Sequence, residues 1–107
     1  MGIFDFLKGA DIHRGVEEFR QAPNAVLLDV RTPQEFWAGH IPGSSNLPLD
    51  CIEGAELVIG EKDRPVYVYC HSGSRSRQAV GLLKQLGFTA VKNIGGMASW
   101  KGEVERG

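Results

Sequence analysis

Residues 65–87 read PVYVYCHSGSRSRQAVGLLKQLG. The β-branched and aromatic run Val66-Tyr67-Val68-Tyr69 predicts a strand that ends at Cys70. His71-Ser72-Gly73-Ser74-Arg75 is a short polar loop. Ala79, Leu82, Leu83 and Leu86 then recur at helical spacing, and Gly87 suits the position just past the helix. A strand therefore delivers a thiol into a small-residue loop that opens a helix. The N–H groups of such a loop converge and attract negative charge.

The flanking chain repeats the alternation. Asp11 is placed to cap a helix over 12–20, with Ile12, Val16 and Phe19 on one face. Gly15 weakens that helix by about 1 kcal/mol relative to Ala. Ala25-Val26-Leu27-Leu28-Asp29-Val30 is an apolar run broken only by Asp29, as expected of a strand buried on both faces. Thr32 as cap and Pro33 in the first turn start a short helix, 33–38. Ser45 to Leu49 predicts an edge strand, where Pro48 is tolerated. Asp50 is expected to cap a helix over 51–58, with Ile52, Ala55, Leu57 and Val58 turned inward. Glu61-Lys62-Asp63-Arg64 reads as a solvated turn. Phe88 to Lys92 is the last strand, Asn93 to Met97 a tight turn, and 98–100 a final helical turn. The expected architecture is α/β, a mainly parallel central sheet with helices on both faces, in one domain over 11–107 behind an apolar extension, 1–10.

With 42% hydrophobic and 23% charged residues and a net charge of −1, the chain has the balance of a soluble globular protein. No nucleic-acid partner and no anionic membrane partner is expected from that charge. The two cysteines, Cys51 and Cys70, are too few for a disulfide scaffold. The first residues lack the basic region and long apolar run of a signal peptide, so a cytoplasmic, reducing location with free thiols is expected.

Sites on open parallel sheets form beyond the C-terminal strand ends. Cys70 lies there, and so do Asp29 and Arg31 at the end of another strand. The loop favours a thiolate: Gly73 permits unusual backbone angles, Ser72, Ser74 and Ser76 are small donors, and Arg75 is cationic. Such settings lower a cysteine pKa from about 8.5 to roughly 3.5–7.5, and the thiolate is the reactive species. Cys70 is accordingly the candidate catalytic cysteine. Cys51 has no such cradle and reads as a packing or surface residue, with a disulfide to Cys70 as the minority alternative.

Three motifs together resemble the rhodanese-like domain family, in particular its single-domain sulfurtransferases. Cys70-His71-Ser72-Gly73-Ser74-Arg75 is similar to the family loop Cys-x-x-Gly-x-Arg. Asp29-Val30-Arg31, Glu35-Phe36 and Gly39-His40-Ile41-Pro42-Gly43 resemble its upstream segment, and Gly95-Gly96-Met97 with Trp100 its ending. The resemblance spans about residues 11–101. It implies a transferase of the thiosulfate sulfurtransferase (rhodanese) type that moves sulfane sulfur to cyanide or a thiol through a persulfide on Cys70, with no metal or organic cofactor. The partners would be a small-molecule sulfur donor and acceptor.

Within that reading, His71, Ser72, Gly73, Ser74, Arg75 and Ser76 are the substrate-binding candidates. Arg75 either contacts substrate or pairs with a carboxylate such as Glu35 and braces the loop. Asp29, Arg31, Glu35 and His40 form the rim as scaffold, Arg77 faces solvent, and Trp100 packs. Two alternatives differ in chemistry or partner. One is a persulfide carrier or binding module that delivers sulfur to a partner protein. The other is an enzyme of the phosphatase or arsenate-reductase type, whose loops enclose five residues between Cys and Arg. Cys70 and Arg75 enclose four and Cys70 and Arg77 six, which argues against it.

Overall fold

The computed structural model describes residues 10–107. The expected apolar extension, apart from Ala10, lies outside the described residues. The elements are α1 (Ile12–Gln21), β1 (Val26–Asp29), α2 (Pro33–Ala38), β2 (Ser44–Asn46), a 3-10 segment (Leu49–Gly54), α3 (Ala55–Ile59), β3 (Val66–Cys70), α4 (Ser74–Gln85), β4 (Val91–Gly96) and a 3-10 turn (Met97–Ser99). The four strands pair in parallel in the order β2-β1-β3-β4. This is the α/β architecture expected from the alternation.

Alternation along the strands sends side chains to two faces. Val26 and Leu28 of β1, with Val66, Val68 and Cys70 of β3, face α3 and α4 and pack with Ile52, Ala55, Ile59, Ala79 and Leu83. Leu27 and Tyr69 face the other way, onto Ile12 and Val16 of α1 and onto Ile41 and Ile94. Both faces of β1 are buried, which explains its nearly unbroken apolar sequence.

Local hydrogen bonds set the helix starts. The Asp11 carboxylate accepts from the His13 and Arg14 amides. Thr32 and Glu35 form a reciprocal capping box at α2, with Pro33 in the first turn. Gly87, at φ +101°, follows α4 as its left-handed terminator.

Several expectations are corrected or extended. The segment after Pro48 is a 3-10 turn with a kink at Cys51, followed by the short α3; Asp50 makes no cap. Leu57 is 93% exposed, because Ile52, Ala55 and Ile59 already fill the inward positions. The last strand begins at Val91 and runs through Gly96, where a tight turn was expected. Its glycines pair with Tyr69 and Cys70 past a bulge, so a composition typical of turns serves a strand that touches another backbone closely. Residues 61–64 are tied down as well as solvated: Arg64 donates to the Asn24 and Ile59 carbonyls, and Lys62 to the Leu86 carbonyl. On α4, Ala79 and Leu83 are buried, while Leu82 and Leu86 stay partly exposed.

Gly15 is buried where α1 crosses β4, and a Cβ there would collide with the Ile94 side chain. Contact with β4, more than helix propensity, is why glycine stands there. Gly15→Ala should lose about 1–3 kcal/mol of stability by overpacking, although alanine favours the helix by about 1 kcal/mol. Urea denaturation checks this; a variant as stable as the parent would show that α1 and β4 separate freely.

Candidate active site

Strand β3 ends in Cys70, whose side chain points toward α4 because it shares the face of Val66 and Val68. The chain then turns through His71, Ser72 and Gly73. Gly73 takes φ +99°, a conformation that glycine adopts at no steric cost, and α4 starts at Ser74 with no side-chain cap. The first amides of α4 are thus free to serve another acceptor. Gly73 N–H donates to Cys70 Sγ at 3.0 Å, and the Ser76 hydroxyl lies 3.5 Å from the same sulfur.

Two effects oppose each other at Sγ. Burial pushes the thiol up, since it penalises the charged form. Hydrogen bonds from the Ser76 hydroxyl and from the Ser76, Gly73 and Ser72 amides outweigh it, and the pKa lies below its ordinary value. Cys70 is fully buried, whereas His71, Ser72 and Ser74 are exposed. A reagent therefore reaches Sγ only through a local shift of this loop.

Arg75 is a brace. Its two terminal nitrogens donate to the two Glu35 oxygens at 2.7 and 3.0 Å. This bidentate pair ties the first turn of α4 to the capping box of α2, and it offsets the guanidinium charge expected to act on the thiolate. Glu35 Oε1 also accepts from the Thr32 amide and hydroxyl, so one carboxylate caps α2 and holds the loop.

The remaining rim residues make their contacts within the fold. Asp29 and Arg31 form a buried ion pair with contacts of 2.7 to 3.1 Å, and Arg31 extends to the Gly39 carbonyl at 2.7 Å. Burial alone would lower the Arg31 pKa, but the hydrogen bond and charge of Asp29 outweigh it and raise it. The pair fixes the bend after α2. Tyr69 holds the same bend from the sheet side: its hydroxyl accepts from the Ile41 amide and meets the Ser44 hydroxyl. His40 stacks on Phe36 and its Nδ1 donates to the Phe36 carbonyl, while its backbone pairs with Glu105. Arg77 is exposed as expected. Trp100 stacks on His13 and packs against the α1-side core. Cys51 is exposed and free.

Two residues that support the loop are absent from the candidates read from the sequence. Asn93 lies beside the loop: its Oδ1 accepts from the Ser76 hydroxyl at 2.7 Å and the Gly95 amide at 3.0 Å, and its Nδ2 donates to the Gly73 carbonyl at 3.4 Å. A polar side chain inside an otherwise strand-like run was the available signal. Gly96 was noted as a motif position, but its task is steric. A Cβ there would collide with the His71 carbonyl, which also accepts from the Ala98 amide.

The family model described as rhodanese-like domain matches residues 14–103. A protein of Allochromatium vinosum named "Sulfurtransferase" is 42% identical over 78 residues, which are 72% of this chain and 72% of the relative. The "Thiosulfate sulfurtransferase PspE" of Escherichia coli is 37% identical over 71 residues, 65% of this chain and 68% of the relative. Among solved structures, "rhodanese with anions from E. coli" superposes with a TM-score of 0.72 at 32% identity, covering 78% of this chain and 99% of that one.

Glu35 has its pKa lowered to about 2 from 4.5, first by the Arg75 hydrogen bond and against the opposing effect of burial. A depressed carboxylate stabilises the fold above its ordinary pKa, and that contribution is lost as the pH falls through about 2. Because the pair is about one-third exposed, Glu35→Gln should cost about 1 kcal/mol near neutral pH after screening. The difference from the parent should close between about pH 4.5 and 2. Urea midpoints across that range test it, and a gap independent of pH would assign the cost to something other than the ion pair.

Proposed function

The chain belongs to the rhodanese-like domain family, and from that premise we propose that it is a sulfurtransferase that carries sulfane sulfur as a persulfide on Cys70, with thiosulfate or a similar anion as donor. The observation that carries this reading is the donation of the Gly73 amide to Sγ at the uncapped start of α4.

The reaction needs only this constellation. The Cys70 thiolate attacks the outer sulfur of thiosulfate. The sulfur–sulfur bond of the donor breaks, sulfite leaves with the electron pair, and a Cys70 persulfide forms. A cyanide ion or a thiolate then attacks the outer sulfur, and the Cys70 thiolate leaves. Negative charge moves from Sγ to the outer sulfur and back. Once the loop has admitted the reagent, amides that point into it suit both positions of the charge. The acceptor is a small molecule or a thiol of a sulfur-accepting protein; the chemistry at Cys70 is the same for both.

Phosphoryl or arsenate chemistry fits less well. Such a reaction calls for a guanidinium aimed at the oxyanion, and the Arg75 guanidinium is committed in both arms to Glu35. The loop is also one residue shorter than that chemistry uses.

Incubation with thiosulfate should add one sulfur atom to the parent chain and none to Cys70→Ser, read by intact mass. Cyanide should then remove it and release thiocyanate. No gain in the parent, or an equal gain in Cys70→Ser, contradicts the proposal.

A further inference from the structure

The Ser76 hydroxyl is fully buried and carries one proton, but three acceptors surround it. Asn93 Oδ1 is at 2.7 Å, the Gly73 carbonyl at 3.1 Å and Cys70 Sγ at 3.5 Å. The Gly73 carbonyl already accepts from the Arg77 amide at 3.1 Å and from Asn93 Nδ2 at 3.4 Å. The orientation of the Asn93 amide is settled by Gly95. Its N–H can only donate, so the atom 3.0 Å away must be the oxygen. That arrangement depends on the β4 bulge. Val68 pairs with Asn93 and Tyr69 with Gly95, so Ile94 is the extra residue, and Gly95 at φ +111° turns its amide back onto Asn93.

We propose that Asn93 is a positioning residue for Cys70 that acts through Ser76: it holds the hydroxyl proton away from Sγ in the thiol and persulfide states and yields it when Sγ becomes a thiolate. The move is a rotation about the Ser76 Cβ–Oγ bond. No covalent bond forms or breaks. In the thiol state the short contact to a carbonyl-type oxygen holds the proton. A full negative charge on Sγ competes for it at longer range, because charge-assisted hydrogen bonds are roughly twice as strong as neutral ones. In the persulfide the inner sulfur is neutral again and the proton returns to Asn93. The competition keeps the thiolate less stabilised than the loop alone would make it, and a thiolate of higher pKa is the stronger nucleophile. The inference rests on the persulfide reading for its catalytic sense, but the hydroxyl rotation is a property of the resting protein.

The readout is the shift in Cys70 pKa on Ser76→Ala, measured by alkylation against pH in three backgrounds. The charged and titratable groups around Cys70 are Arg75 of α4, Glu35 of α2, Asp29 of β1, Tyr69 of β3 and His71 of the loop; Asn93→Asp adds one carboxylate, and because each Ser76→Ala shift is taken within one background, its direct effect on Sγ cancels. In the Asn93→Ala background the hydroxyl is free for Sγ, and Ser76→Ala should raise the pKa by about one pH unit, the scale of one charge-assisted hydrogen bond. With Asn93 present the rise should be smaller. In the Asn93→Asp background a carboxylate holds the proton throughout, and Ser76→Ala should change nothing. Asn93→Ala alone should lower the Cys70 pKa, whereas plain loss of loop structure would raise it. An equal Ser76→Ala shift in all backgrounds, or a raised pKa in Asn93→Ala, overturns the inference. Alkylation uses no sulfur donor, so it reads the rotation separately from sulfur transfer. Should Asn93→Ala not fold, the comparison of the parent with Asn93→Asp decides alone: equal Ser76→Ala shifts overturn the inference, and a smaller shift in Asn93→Asp supports it.

Discussion

One hydrogen bond organises this molecule, from the amide of Gly73 to the sulfur of Cys70. It exists because α4 begins without a side-chain cap, so its first amides have no partner of their own. A sulfur at a strand end can supply that partner only if the turn between strand and helix is very tight. Gly73 makes the turn through its positive φ, and Gly96 makes room beneath it for the His71 carbonyl. Stabilisation of charge at Sγ and the capping of the start of α4 are therefore the same interaction seen from two sides.

The loop is held by elements remote in sequence. The bidentate bond between Glu35 and Arg75 joins α2 to α4, and the Asp29–Arg31 pair fixes the bend that follows α2. A buried ion pair contributes little net stability against well-packed apolar residues, because desolvation offsets its attraction. Its value here is geometric: Arg31 reaches the Gly39 carbonyl and the Asp29 carboxylate at the end of β1 at once. These carboxylates and guanidiniums orient the site and leave the handling of charge at sulfur to amides and one hydroxyl.

What was legible in the sequence was local. The strand, thiol, loop and helix of 65–87 lie within one continuous stretch. The caps at Asp11 and Thr32 join residues three or fewer apart, and the alternation of strands and helices announced the parallel sheet. What was not legible depends on distance or on competition. The role of Arg75 stayed divided between substrate and Glu35, because the choice depends on where α2 packs. Asn93 was assigned to a turn, since Gly95-Gly96 reads as a turn until Tyr69 and Cys70 supply strand partners. Leu57 followed the helical period yet points outward, because a 3-10 segment precedes α3 and resets the phase. The burial of Cys70 also escaped the sequence. A strand-end thiol in a polar loop suggests access, but the alternation of β3 turns it inward under α4.

The central claim is that hydrogen bonds from the loop outweigh burial at Cys70. The most direct measurement is the pH dependence of thiolate absorbance in the folded parent chain, with Cys70→Ser subtracted to remove Cys51. The balance of forces predicts a midpoint below the ordinary cysteine value of about 8.5. A midpoint at or above that value would mean that burial dominates and that the loop does not stabilise negative charge on sulfur.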